Sequence, residues 1–190
     1  MTNKTYQTYI FAIFPLLVIA GLFFFWPQEK ALPNIAPRFT LEEIAKITKQ
    51  REEAEVLVQQ DPNSTEKWIH LASLHASLGE IQGAKAAYLR ASRLEPQNYI
   101  PYLNLGTMLM EAGFSEEAEK VLRGGLNKIS TGMGIAWLTL IDLYQYHLKK
   151  DQRYMESFFQ DAVAATHRDI NLMLRVARYY DEAKISSKAI

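Results

Sequence analysis

The sequence predicts an all-α protein: one N-terminal transmembrane helix, an α-solenoid of about three helical hairpins, and a C-terminal capping helix. Three observations predict it. An uncharged apolar run, YIFAIFPLLVIAGLFFFW, fills residues 9–26. Residues 65–98 are matched at a constant offset of 34 by residues 99–132. Prolines, glycines and capping residues cut the remainder into pieces of helix length.

Composition narrows the function classes. The 190 residues carry 21 basic and 21 acidic side chains, a formal charge of zero. A nucleic-acid-binding surface normally needs a basic excess, so no nucleic-acid partner is expected. The absence of cysteine excludes disulfides, thiolate metal sites and cysteine nucleophiles. It leaves the compartment open, because an oxidising one permits disulfides without requiring them.

Residues 1–7 form a short tail and residues 8–26 the expected anchor. At about 1.5 Å per residue the apolar run spans about 27 Å, close to the hydrocarbon thickness of a bilayer. Pro15 interrupts the run but is tolerated in a membrane helix, and Tyr6, Tyr9 and Trp26 lie where interfacial aromatics belong. A cleaved secretory signal is the rival reading, with Lys4 as n-region and Val18-Ile19-Ala20 as cleavage triplet. The run continues past that triplet to Trp26, longer than the roughly 7–15 residues of a signal core, which favours an uncleaved anchor. A buried core helix fits poorly, since every face is apolar. Flanking positive charges nearly balance, Lys4 against Lys30 and Arg38. The short tail points to N-in, C-out. The expectation is a single-pass protein of the inner or cytoplasmic membrane with its repeat domain on the non-cytoplasmic side.

Residues 27–39, PQEKALPNIAPRF, contain three prolines and read as a semi-extended linker. Thr40 followed by Glu43 forms a capping-box pattern, which opens an N-terminal capping helix over 40–61. Its stripe runs through Ile44, Ile47, Arg51, Ala54, Leu57 and Val58, its charged KQREEAE segment reads as a solvated face, and Asp61-Pro62 stops it.

The 34-residue offset places Trp68 on Tyr102, Leu71 on Leu105, Ala72 on Gly106, Gly79 on Gly113, Ala84 on Ala118, Tyr88 on Leu122 and Ala91 on Gly125. Trp68, Leu71 and His75 share one helical face. Gly79 sits where a first helix must end in a left-handed turn. Ala84, Tyr88 and Ala91 make a second stripe, small residues let two helices approach closely, and Pro96 ends the unit. Such a hairpin cannot bury its apolar face alone and has to stack.

Trp68, Leu71, Gly79, Ala84, Tyr88, Ala91 and Pro96 together resemble a tetratricopeptide repeat (TPR). Ala72 and His75 depart from it, where the family favours Gly and Tyr. The resemblance covers roughly residues 65–165. It implies repeats at 65–98 and 99–132, the second with Ser130 in place of the proline, and a degenerate third at 133–168. In the third, Trp137, Leu140 and Tyr144 restart the first helix, 35 residues after Tyr102, and KKDQR marks the turn. Tyr154, Phe158 and residues 162–165 carry its second helix; alanine is missing at the crossing position, which leaves the register or the helix length open there. Residues 169–190 are expected to cap the array and trail off, with Leu174, Ala177 and Tyr180 on one face.

His70 and His75, five apart, diverge by about 140° on a helix and cannot share a metal; a zinc pair would sit at i and i+4. No phosphate loop, nucleophile elbow or carboxylate pair is present. No enzyme, cofactor or metal is therefore expected, and nothing indicates a homo-oligomer. In TPR proteins the first helices line a concave groove for a peptide or partner helix. Carried over, that implies Ile69, Ser73, Ala76 and Ser77 from the first repeat and Leu103, Asn104, Thr107 and Glu111 from the second. The third supplies Leu138, Asp142 and Gln145, and the last helix Arg175 and Arg178. The carboxylate-clamp mode is discounted, because Ile69 and Ser73 stand where it uses Lys and Asn. The implied function is a membrane-anchored scaffold or docking protein for a protein or peptide partner in envelope-complex assembly, similar to factors of cytochrome c maturation. The alternatives are a structural subunit of a secretion or pilus assembly, and an organelle-surface receptor with cytosolic repeats.

Overall fold

The structure is a computed structural model, and it describes residues 39–129 and 133–182. The expected tail, the anchor at 8–26, the linker up to residue 38, Ser130 and the last eight residues lie outside the described residues. Every described element is helical. Among the described residues no helix is long and apolar enough to cross a membrane.

Eight α-helices follow in order: α1 (Leu41–Gln60), α2 (Thr65–Ser77), α3 (Ile81–Leu94), α4 (Tyr99–Glu111), α5 (Ser115–Leu126), α6 (Met133–Asp142), α7 (Gln152–Ala165) and α8 (Ile170–Glu182). A π-helical turn, Leu143–His147, extends α6. Consecutive helices pack on one another from α1 to α8, and short connections make each pair antiparallel. Helix α4 also touches α6, and α6 touches α8, so the first helices of the second and third pairs and the last helix adjoin in turn.

Local sequence explains where the helices begin and end. Thr40 caps α1 through the full capping box: the Glu43 backbone N–H donates to its Oγ1, and its own N–H donates to Glu43 Oε2 at 2.9 Å. Ser64, Asn98 and Asp151 cap α2, α4 and α7. Gly79 and Gly113 take the left-handed conformation, φ 72° and 83°, after the first helices of the first two pairs. The Glu80 N–H then closes on the His75 carbonyl at 2.9 Å and the Phe114 N–H on the Leu109 carbonyl at 2.8 Å, satisfying carbonyls a helix end would leave open.

The stripes from the repeat offset form the core. Leu71, Ala72, Ala84, Tyr88 and Ala91 are buried, as are Leu105, Leu109, Ala118 and Leu122. The small residues set the helix approach. A methyl group on Gly106 would lie 2.5 Å from the Leu122 side chain, and one on Gly125 would lie 2.5 Å from the Tyr102 ring. Gly83 gives the same clearance to His75, whose ring a methyl there would meet at 2.6 Å.

The third pair resolves the register left open by the sequence. Met155, Phe159 and Ala162 are buried at the same spacing of four and three as Ala84, Tyr88 and Ala91. Trp68 precedes Ala84 by 16 residues, whereas Trp137 precedes Met155 by 18. One of the two added residues is taken up by the π-helical turn. Its effect appears in the backbone: Lys149, φ 47°, stands one place later than Gly79 and Gly113 do, and the Lys150 N–H reaches back to the Tyr144 carbonyl at 2.9 Å. The second added residue lies between Lys149 and Gln152.

Helix α8 differs from expectation. Leu172, Val176, Tyr179 and Tyr180 are its buried residues, with both tyrosines packed edge-on against Phe159 of α7. Leu174, expected on the packed face, is 61 % exposed. The four-residue step from Leu172 to Val176 directs the packing, and Leu174 lies away from it. In α1 only Ala54 and Val58 of the expected stripe are buried, while Leu57 stays exposed.

Candidate functional site

The first helices of the pairs line a recess of about 600 Å³. Six of the implied groove residues meet there: Ala76, Ser77, Leu103, Asn104, Thr107 and Glu111. Met108, Ile135, Thr139 and the Tyr88 ring complete the wall, and Phe39, just before α1, lines it as well. The wall is apolar at Leu103, Met108 and Ile135 and polar at Asn104, Thr107 and Thr139; Glu111 is its one charged residue among those described. The Tyr88 hydroxyl lies 3.1 Å from Ser73 Oγ. Burial pushes the Tyr88 hydroxyl up from the ordinary tyrosine pKa, against the opposing hydrogen bonds of Ser73 and Asn104. The hydroxyl therefore stays neutral.

A second recess of about 550 Å³ lies between α6 and α8 and gathers Leu138, Asp142, Arg175 and Arg178 with Tyr146, Asn171 and Leu174. Arg175 is its hub. Its Nε and Nη2 donate to Asp142 Oδ1 at 3.1 and 3.0 Å, and Nη2 donates also to Gln145 Oε1 at 2.7 Å and to the Tyr146 hydroxyl at 3.1 Å. Gln145 in turn donates to Glu182 at 3.2 Å. The Arg175 guanidinium also lies 5.5 Å from the Tyr146 ring centroid. Arg175 thus fastens α8 to α6, while Arg178 is exposed.

Three implied residues, Ile69, Ser73 and Gln145, line neither recess, although Gln145 is tied to Arg175 beside the second. Ser73 Oγ turns back to the Ile69 carbonyl at 3.0 Å as well as to Tyr88. Thr139 and Tyr146 were missed, although the 35-residue offset carries Asn104 to Thr139 and Glu111 to Tyr146. Phe39 had no repeat partner and no signal in the sequence.

A polar cluster between the second and third pairs shows how the array is joined. The Tyr144 hydroxyl, with its ring fully buried, donates to Glu119 Oε1 at 2.8 Å and accepts from Arg123 Nε at 2.5 Å. Arg123 Nη2 donates to the Tyr154 hydroxyl at 2.7 Å. Burial, joined by hydrogen bonds to Tyr154 and Glu119, raises the Tyr144 pKa far above the ordinary value. A neutral phenol enclosed in this way is a structural tie. His75 occupies the corresponding place in α2; its Nδ1 lies 2.6 Å from Glu80 Oε2, and Arg51 of α1 stands 3.8 Å from the same oxygen. Between them, Lys85 of α3 pairs with Glu117 of α5. His70 lies instead in a small recess with Ala54 and Leu57 of α1. Among the described residues no group of three or more His, Cys, Asp or Glu side chains could hold a metal ion.

Another recess, of about 830 Å³, lies between α7 and α8 around Phe159, Val163, Val176 and Tyr180. It belongs to one helix junction, whereas the 600 Å³ recess gathers residues from three first helices. No protein-family model matches the chain, and no curated protein matches it.

Proposed function

We propose that the chain is a TPR-type scaffold or docking protein, anchored in a membrane by residues 8–26, that holds a protein or peptide partner during assembly of an envelope complex. The observation that carries this reading is the 600 Å³ recess, in which side chains of α2, α4 and α6 face one space. Its mixture suits an extended peptide: Asn104 and Thr107 offer hydrogen bonds to a backbone, and Leu103, Met108 and Ile135 accept apolar side chains. The stacked pairs, the left-handed glycines and the buried small residues support the TPR assignment.

Partner capture in native membranes tests it. Leu103→Glu with Thr107→Arg alters two half-buried groove positions without touching the core. Crosslinking followed by mass spectrometry should lose the partner captured by the unaltered chain. Capture that persists at the same level rejects the groove as the binding surface. A C-terminal reporter fusion tests the topology, with activity expected only on the non-cytoplasmic side.

A further inference from the structure

The groove residue outside the repeats is Phe39. It lines the 600 Å³ recess beside Ala76, Thr107 and Ile135, although it belongs to the segment leading into α1. The Thr40–Glu43 capping box fixes the start of α1, and Phe39, the residue before it, is held at the recess wall. The residues next to Phe39 are Pro33-Asn34-Ile35-Ala36-Pro37-Arg38. Their chemistry matches the wall. Ile35 and Phe39 are apolar, Arg38 is the only charge in the stretch, and Glu111 is the charged residue of the described wall. Two prolines favour the extended polyproline form, in which seven residues span about 22 Å. Three neighbouring helices at about 9 Å spacing present a face about 18 Å across. Direct connection to α1 gives this segment an effective concentration in the millimolar range, above that of most partners in solution.

We propose that residues 33–39 are the resident occupant of the groove, docked in cis with Phe39 as the seated end, so that a partner peptide has to displace them. This rests on the groove being the peptide-binding surface and adds a competitor within the same chain. The partner chemistry follows from the occupant: an extended segment with apolar side chains and a basic residue for Glu111.

The chain has no cysteine, so introduced pairs report without background. In the full-length protein in native membranes, Ile35→Cys with Thr107→Cys should close an intrachain disulfide on mild oxidation. The control pair, Ile35→Cys with Lys120→Cys, uses an exposed position away from the recess and should not. No closure, or equal closure in both pairs, overturns the proposal. A bond formed only between two chains also overturns it, assigning the groove to a second copy. The second measurement uses the labelled synthetic peptide PNIAPRF. It should bind the full-length Ile35→Ser, Arg38→Ser, Phe39→Ser variant at least tenfold more tightly than the unaltered chain. Equal binding to both, or binding to neither, overturns the proposal. Partner capture by Leu103→Glu with Thr107→Arg is scored separately. Lost capture without the cis disulfide removes the competitor alone, and retained capture with the disulfide removes the partner groove alone.

Discussion

Adjacent glycines in α5 have opposite roles. Gly125 is buried against Tyr102, and a methyl there meets Cγ and Cβ, the least mobile part of that side chain. Gly124 is exposed and a methyl there meets nothing. Gly124→Ala should raise stability by about 0.5–1 kcal/mol through helix propensity, and Gly125→Ala should lower it by about 1–3 kcal/mol through overpacking. Thermal denaturation of both variants checks the contrast; equal shifts would mean that the α4–α5 approach is looser than described. Buried tyrosines give a second prediction. Burial raises the pKa of Tyr88, Tyr102, Tyr144 and Tyr179. Below about pH 10 both folded and unfolded tyrosines are protonated and the contribution is complete. Above it the unfolded chain releases protons that the native state keeps, so stability falls as pH rises. Urea midpoints should hold up to about pH 10 and drop as pH rises to about 11.5, less steeply in Tyr144→Phe; an unchanged midpoint over that range contradicts the assignment.

At the scale of elements, the third pair shows what sequence periodicity can and cannot carry. Trp137, Leu140 and Tyr144 were legible because they keep the spacing of Trp68, Leu71 and His75. The second helix was not, because one residue enters through a π-helical turn and another through the loop, so a rigid offset misses the crossing position. No side-chain pattern distinguishes a π turn from an α turn of similar polarity. The cost appears at Lys149, a non-glycine residue in the left-handed region, φ 47°. Lys149→Gly should stabilise the third pair by about 1 kcal/mol. Hydrogen exchange along α6 and α7 would register it, and slower exchange confined to that pair is the expected pattern. The groove shows the same division. Six of its wall residues were found from the repeat and Thr139 was within reach of the same offset, whereas Phe39 reaches the recess only because of how α1 packs on α2.

Across the described domain, helices contact near neighbours along the stack, and polar ties cross each junction: His75, Glu80 and Arg51, then Lys85 with Glu117, then Tyr144 with Glu119 and Arg123, then Arg175 with Asp142. Stability in such an array is a sum over units and interfaces. Arg175→Ala should therefore loosen α8 by about 1–2 kcal/mol, discounted because Asp142 is half exposed, and leave the 600 Å³ recess unaffected. Proteolysis that trims the C-terminal helix while amide protection along α4 persists would match; loss of both together would mean one cooperative unit. The shallow seating of α1, with only Ala54 and Val58 buried, has a mechanical consequence. Tension applied at the N-terminal side loads α1 before any hairpin, so in a force-extension measurement this helix should peel away first and at the lowest force. Phe39 would leave the 600 Å³ recess in the same event, so load on the N-terminal side would open one wall of that recess.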